Sequence, residues 1–143
     1  MSFEVINRKA PEDRRSVPLD PASMPTILAG QVLETNDNGY AVLADSGAHV
    51  VVDPMWAFTA TARLDVTISK SVTVVEAPFS ARVNTDGYNG SPVKRNPLKV
   101  GTGATAGKLV VATISTVADL QAVVAYCTKA PDSAGVITIK AIR

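Results

Sequence analysis

The chain has 143 residues, 14 basic and 13 acidic. The resulting formal net charge of +1 excludes a global field that would draw it onto nucleic acid or an anionic membrane. One cysteine rules out an internal disulfide, and one cysteine with one histidine falls short of a structural zinc ligand set. The length suits a single domain, able to bury roughly 68 to 70% of the surface that the unfolded chain exposes.

Valine, threonine and isoleucine recur, and nine glycines and nine prolines are scattered as punctuation, a composition suited to many short strands. The first eight residues lack the basic start and apolar stretch of a signal peptide. No apolar run approaches the roughly 18 residues of a membrane span, so the expectation is neither standard export nor membrane spanning.

In chain order, residues 1 to 26 stand apart. They carry Pro11, Pro18, Pro21 and Pro25 and eight charges, four of each sign, without a periodic pattern. The expectation is an extended arm ahead of a domain spanning 27 to 143. Fully stretched, such an arm reaches on the order of 80 to 90 Å, past the body of the domain. A loose terminus is the alternative, although Phe3, Val5 and Ile6 are apolar enough to want a partner.

The dipeptide Asn38-Gly39 predicts a two-residue type I′ turn joining 27 to 35 with 40 to 44. Asp45-Ser46-Gly47 predicts a second tight turn into a strand over 48 to 53, closed by Pro54, to give a three-stranded meander. Alternation over 64 to 69 predicts a half-buried strand in a hairpin with 72 to 75, and another strand follows over 79 to 83. Residues 84 to 97 contain Asp86-Gly87, Asn89-Gly90, Pro92 and Pro97 and show no periodicity. A loop of that length inside a domain is uncommon and points to a functional or disordered segment. Strands over 98 to 101, 107 to 114, 122 to 128 and 135 to 142 complete the chain, with a turn at Pro131-Asp132-Ser133. One helical turn is expected over 115 to 121, where a capping residue precedes an acid at the third position. This spacing predicts an all-β barrel or sandwich of short antiparallel strands.

Each residue type able to carry catalysis has a plainer role in its context. His49 lies in an apparent strand with no motif around it, and no Gly-x-Ser-x-Gly elbow is present. Cys127 shares an apolar face with Val123 and Ala125, which suits core packing. The run Gly101-Thr102-Gly103-Ala104-Thr105-Ala106-Gly107-Lys108-Leu109 fails as a phosphate-binding loop. Thr102 stands where its first glycine belongs, and Leu109 where a magnesium-holding hydroxyl belongs. Scattered carboxylates show no metal-ligand spacing; their separation in space is not readable from sequence, so a glycosidase pair stays open. Lys94, Arg95 and Lys99 beside Tyr88 suit a solvated face or a protein contact better than a nucleic-acid surface. Trp56 and Phe58 point to one side if extended, as core anchors or as an interface patch. The expectation is a protein that is not an enzyme, with no catalytic, cofactor-binding or metal-ligating residue assigned.

The segment Leu64-Asp65-Val66-Thr67-Ile68-Ser69-Lys70-Ser71-Val72-Thr73-Val74-Val75-Glu76-Ala77-Pro78-Phe79, a hairpin followed by Glu-x-Pro-Phe, resembles tailed-bacteriophage head decoration (capsid cement) proteins. So do Lys108-Leu109-Val110-Val111-Ala112, Ala125-Tyr126-Cys127-Thr128 and Gly135-Val136-Ile137-Thr138-Ile139, bringing the resemblance to about half the chain. Lys70 departs from the pattern, standing where a turn glycine belongs. The resemblance implies a β-barrel or β-tulip-like protein on the outer capsid surface of the virion, made in the host cytoplasm. It would bridge subunits of the major capsid protein, as a homotrimer first and a dimer second, with no nucleic-acid or membrane partner and no cofactor.

The expected contact residues are Phe3, Val5, Ile6, Arg8, Lys9, Arg14 and Arg15 in the arm and Tyr88, Lys94 and Arg95 in the loop. Removing residues 1 to 22 is then expected to leave a folded domain that no longer stays on capsids. Two other binding roles stand beside this one: a tail or baseplate β-protein, and a carbohydrate-binding module using Trp56, Phe58, Tyr88 and Tyr40 as a stacking platform.

Overall fold

Apolar runs of four to six residues broken by turn formers leave little scope for helix and favour sheet. The computed structural model describes residues 3–7, 14–22, 26–47, 49–58, 60 and 70–143. Its strands are β1 (Phe3–Asn7), β2 (Arg14–Pro18), β3 (Val32–Thr35), β4 (Ala41–Leu43), β5 (Met55–Ala57), β6 (Ser71–Glu76), β7 (Phe79–Val83), β8 (Pro97–Val100), β9 (Leu109–Val111), β10 (Val123–Lys129) and β11 (Ile137–Ala141). A 3-10 turn (Gly103–Thr105) and one short helix, α1 (Val117–Gln121), complete the described elements. All strand pairs are antiparallel, in a six-stranded sheet ordered β1-β7-β11-β10-β8-β9 and a five-stranded sheet ordered β2-β6-β5-β3-β4. The fold is all-β, as its turn spacing predicts. The arrangement is that of a sandwich, and the described strands form no closed barrel.

The main core fills the space between the sheets. Val32, Trp56 and Val75 of the smaller sheet meet Phe79, Leu98, Ala125, Ile137 and Ile139 of the larger one. Trp56 is fully buried, with its ring edge-on to Phe79 at 5.1 Å between centroids. Met55, Ala57, Val72, Val74 and Leu33 form a second cluster with Val17, Leu19 and Ile27. Adjacent residues of β3, β5 and β6 thus enter different clusters, so the smaller sheet buries both faces. That explains why Val72 to Val75 contains three valines where a half-buried strand would alternate.

The described residues among the first 26 do not form a separate arm. β1 pairs with β7 from Phe3↔Val83 to Asn7↔Ser80, and β2 pairs with β6 from Arg14↔Val75 to Pro18↔Ser71. Each is the edge strand of a different sheet, and Phe3, Val17 and Leu19 are core residues. Position 26 is therefore no domain boundary. Prolines and charges suit edge strands, whose outer side tolerates both, so a composition that reads as free chain is that of a sheet border.

The meander also differs from its expected form. β3 and β4 do pair, from Leu33↔Leu43 to Thr35↔Ala41, but only Gly39 of the turn has positive φ (82°). A type I′ turn needs positive φ at both central residues. Asn36 instead accepts the Asn38 and Tyr40 N–H groups on its side-chain oxygen, both at 3.0 Å, and Gly39 closes a longer connection. Residues 49–53 form no strand, and β5 takes the third place, pairing with β3 through Leu33↔Met55. Ser46 draws the chain away from β4 towards the larger sheet, donating its hydroxyl to the Val100 carbonyl at 2.7 Å and its N–H to the Gly101 carbonyl.

The strands expected over 79–83, 98–101, 122–128 and 135–142 are present with small shifts, while that over 107–114 contracts to β9. The partner strand expected over 64–69 lies outside the described residues. Lys70 has φ +54°, the backbone region a turn glycine adopts freely. No described helix is long and apolar enough to cross a membrane.

Candidate functional site

Residues 45–53, between β4 and β5, build the most unusual surface. Asp45 accepts the Gly47 N–H at 2.9 Å, and a Cβ at Gly47 would lie 2.4 Å from the Thr102 hydroxyl oxygen, so this close approach requires glycine. Val51 turns into the core at 7% exposure, and its neighbours Val50 and Val52 are thereby held outward at 70% and 69%. A groove of about 150 Å³ separates this segment from α1, between Val50 and Val51 on one side and Ala118 and Gln121 on the other. Val117 and Leu120 of α1 are also exposed.

That helix is set by a capping box. Asp119 accepts the Thr116 N–H, and the Thr116 hydroxyl accepts the Asp119 N–H in return. Hydrogen bonds from Ser115, from its backbone first and its hydroxyl next, hold the Asp119 carboxyl below the usual aspartate range. A pinned loop and a capped turn thus flank a single groove.

On the other side of His49 lies an acidic cleft of about 490 Å³, between Glu34, Asp37, Val42, His49, Val52 and Asp53. In β3, Val32 faces the main core and Leu33 the second cluster, so Glu34 repeats the inward direction of Val32 at the mouth of the sandwich. Its side chain is only 9% exposed. One carboxylate oxygen pairs with His49 Nε2, and no protein donor among the described residues reaches the other, which is buried. Asp53 takes φ +49°.

The expected contact residues are not gathered into one patch. Phe3 is in the core, edge-on to Phe79 at 6.0 Å and to Phe58 at 6.4 Å. Val5 is half-buried against the core and Ile6 is exposed; Arg8 and Lys9 lie outside the described residues. Arg14 stacks its guanidinium on the Phe58 ring at 3.9 Å, and Arg15 pairs with Glu76. Phe3 and Arg14 thus meet across Phe58, which joins the two edge strands. Lys94 and Arg95 are exposed, but Tyr88 is not a contact residue. It is 4% exposed and donates its hydroxyl to the Gly135 carbonyl at 2.6 Å. Burial holds the Tyr88 phenol above its ordinary value, and the Asp132 carboxylate adds to the effect. The loop that carries it is tied down along its length: Leu109 donates to the Gly87 carbonyl, Asn89 to the Leu109 carbonyl and Arg95 to the Cys127 carbonyl.

Trp56 and Tyr88 are both interior, so no stacking platform forms with Phe58 and Tyr40. Cys127 packs in the core as expected, and burial pushes its thiol up. The glycine-rich run makes a 3-10 turn between β8 and β9. Among the described residues no His, Cys, Asp or Glu side chains cluster in a metal-ligand group. Sequence reading missed the 45–53 surface because Val50-Val51-Val52 reads as strand, and a run of three valines does not distinguish a segment buried on both sides from one with a side in solvent. Comparison with protein-family models, curated proteins and solved structures gives no match to this chain.

Proposed function

We propose that this chain is a tailed-phage head decoration protein that binds the outer capsid surface and bridges major capsid protein subunits, with no catalytic role. The observation that carries the reading is the outward pair Val50 and Val52, fixed by buried Val51, with Val50 also lining a groove against a short helix whose Val117 and Leu120 are exposed. Exposed apolar side chains grouped around a rigid concavity are typical of a protein contact surface. The resemblance of 64–79 and of the C-terminal strands to head decoration proteins supplies the partner. A sandwich with strand borders on both sheets suits a lattice clamp, where several modest contacts act together.

Heads assembled without the chain are expected to take it up on their outer surface, seen as added cryo-EM density at repeated lattice positions. The double variant V50S/V52S is expected to leave those positions empty while remaining folded. Heads that stay bare with the unaltered chain overturn the reading, and density on the tail supports a tail or baseplate role instead.

A further inference from the structure

We infer that the cleft at Glu34 is a receptor for an arginine side chain of a protein partner. This rests on the reading of the chain as a binding protein, not on which partner it binds. Three carboxylates, Glu34, Asp37 and Asp53, line the cleft against one histidine, and among the described residues no lysine or arginine lines it. Glu34 stands in an inward register position that Val32, two residues earlier, fills with an apolar side chain. A carboxylate enclosed there gives up hydration, and one of its oxygens meets no protein donor among the described residues. Stability alone favours an apolar residue at such a position, and an acid there, with one oxygen left without a protein donor among the described residues, is suited to recognise a cation.

The walls select the kind of cation. Val42 and Val52 offer apolar sides to the methylene stem of a long side chain, while its charged end meets the carboxylates. A guanidinium presents its donors as a planar fork matched to a carboxylate edge, and Asp37 and Asp53 elsewhere on the lining add negative charge. The His49 ring is 53% exposed and pairs with Glu34 from the solvent side of the cleft, so it has room to rotate outward as the guanidinium takes its place. The outward Val50 and Val52 beside it would meet apolar residues flanking that arginine on the partner. A single buried basic anchor within an apolar rim is how compact interfaces concentrate affinity.

The test uses the full chain, labelled with nitrogen-15, titrated with N-acetylarginine amide and, as the neutral isostere, N-acetylcitrulline amide. The arginine probe is expected to give saturable shifts at the amides of Glu34, Val52 and Asp53 and at the His49 ring, in the millimolar range for an isolated side chain. The citrulline probe is expected to give none. E34Q should weaken binding roughly tenfold or more through loss of the enclosed charge. H49A, at an exposed position, should strengthen it several-fold by removing the competitor for Glu34. If E34Q fails to fold, the pair D37N and D53N takes its place, with about threefold weakening expected from each rim charge. Asparagine suits the positive φ of residue 53. Equal shifts with citrulline, shifts with calcium chloride alone but not with arginine, unchanged binding in E34Q, or weaker binding in H49A each overturn the assignment. None of these outcomes alters uptake onto heads, which tests the other reading separately.

Discussion

The first 22 residues and the segment over residues 45–53 exchange the roles their compositions suggest. The N-terminal stretch is rich in proline and charge, yet its described parts form the borders of both sheets and supply Phe3, Val17 and Leu19 to the core. The 45–53 segment carries three consecutive β-branched residues, Val50-Val51-Val52, yet none of its described residues is in a strand and two of those valines face solvent. Backbone pairing and side-chain burial are separate quantities, and composition reports neither where a neighbouring strand supplies or withholds the partner.

The largest test of this contrast is removal of residues 1 to 22. It takes away β1, β2 and three buried side chains, each worth about 2 to 5 kcal/mol when a large apolar group is lost. Chemical denaturation is expected to show loss of the cooperative transition, against the persistence that an independent arm would allow. A milder form is Phe3→Ala, expected to cost about 3 to 5 kcal/mol in urea unfolding because its ring bridges Phe79 and Phe58. Val51→Ala should cost about 2 kcal/mol, since Val51 is the one valine of its run that is buried.

Tyr88 sharpens the comparison at alkaline pH. Its folded-state value lies above the ordinary 10.0, so the neutral phenol is favoured by folding. That contribution is complete below pH 10 and declines as pH rises through the raised value. Tyr88→Phe is expected to flatten the alkaline limb of the stability profile and to cost about 1 kcal/mol at neutral pH for the lost bond to Gly135. A profile unchanged by the substitution would place the alkaline loss elsewhere, in Cys127 among others. The smallest effect on folding belongs to V50S/V52S, expected within about 0.5 kcal/mol of the unaltered chain. If that pair instead destabilises strongly, the two valines are packed and the 45–53 surface is not a surface.

Much of the sheet content was legible along the chain. Asn38-Gly39 marks the β3–β4 hairpin, and the strands at 79–83, 122–128 and 135–142 lie within a few residues of their expected limits. Thr116 and Asp119 announce α1 through capping chemistry that needs only neighbours three residues apart. Cys127 and the glycine-rich run also read correctly, because each was judged on its local surroundings, whereas Trp56 stayed open between core and interface until the sheets enclosed it.

The candidate site was not legible. Glu34 reads as an ordinary polar residue near a strand end; only the register of β3 against β4 and the crossing of 45–53 over the sandwich mouth enclose it beside His49. Local sequence determines turns, caps and strand-forming runs, since their energies depend on residues a few positions apart. Which strand borders which sheet, which valines meet solvent and which carboxylate loses its water depend on contacts between residues tens of positions apart. Those were decided by the tertiary structure alone, where Ser46 reaches Val100 and β1 finds β7.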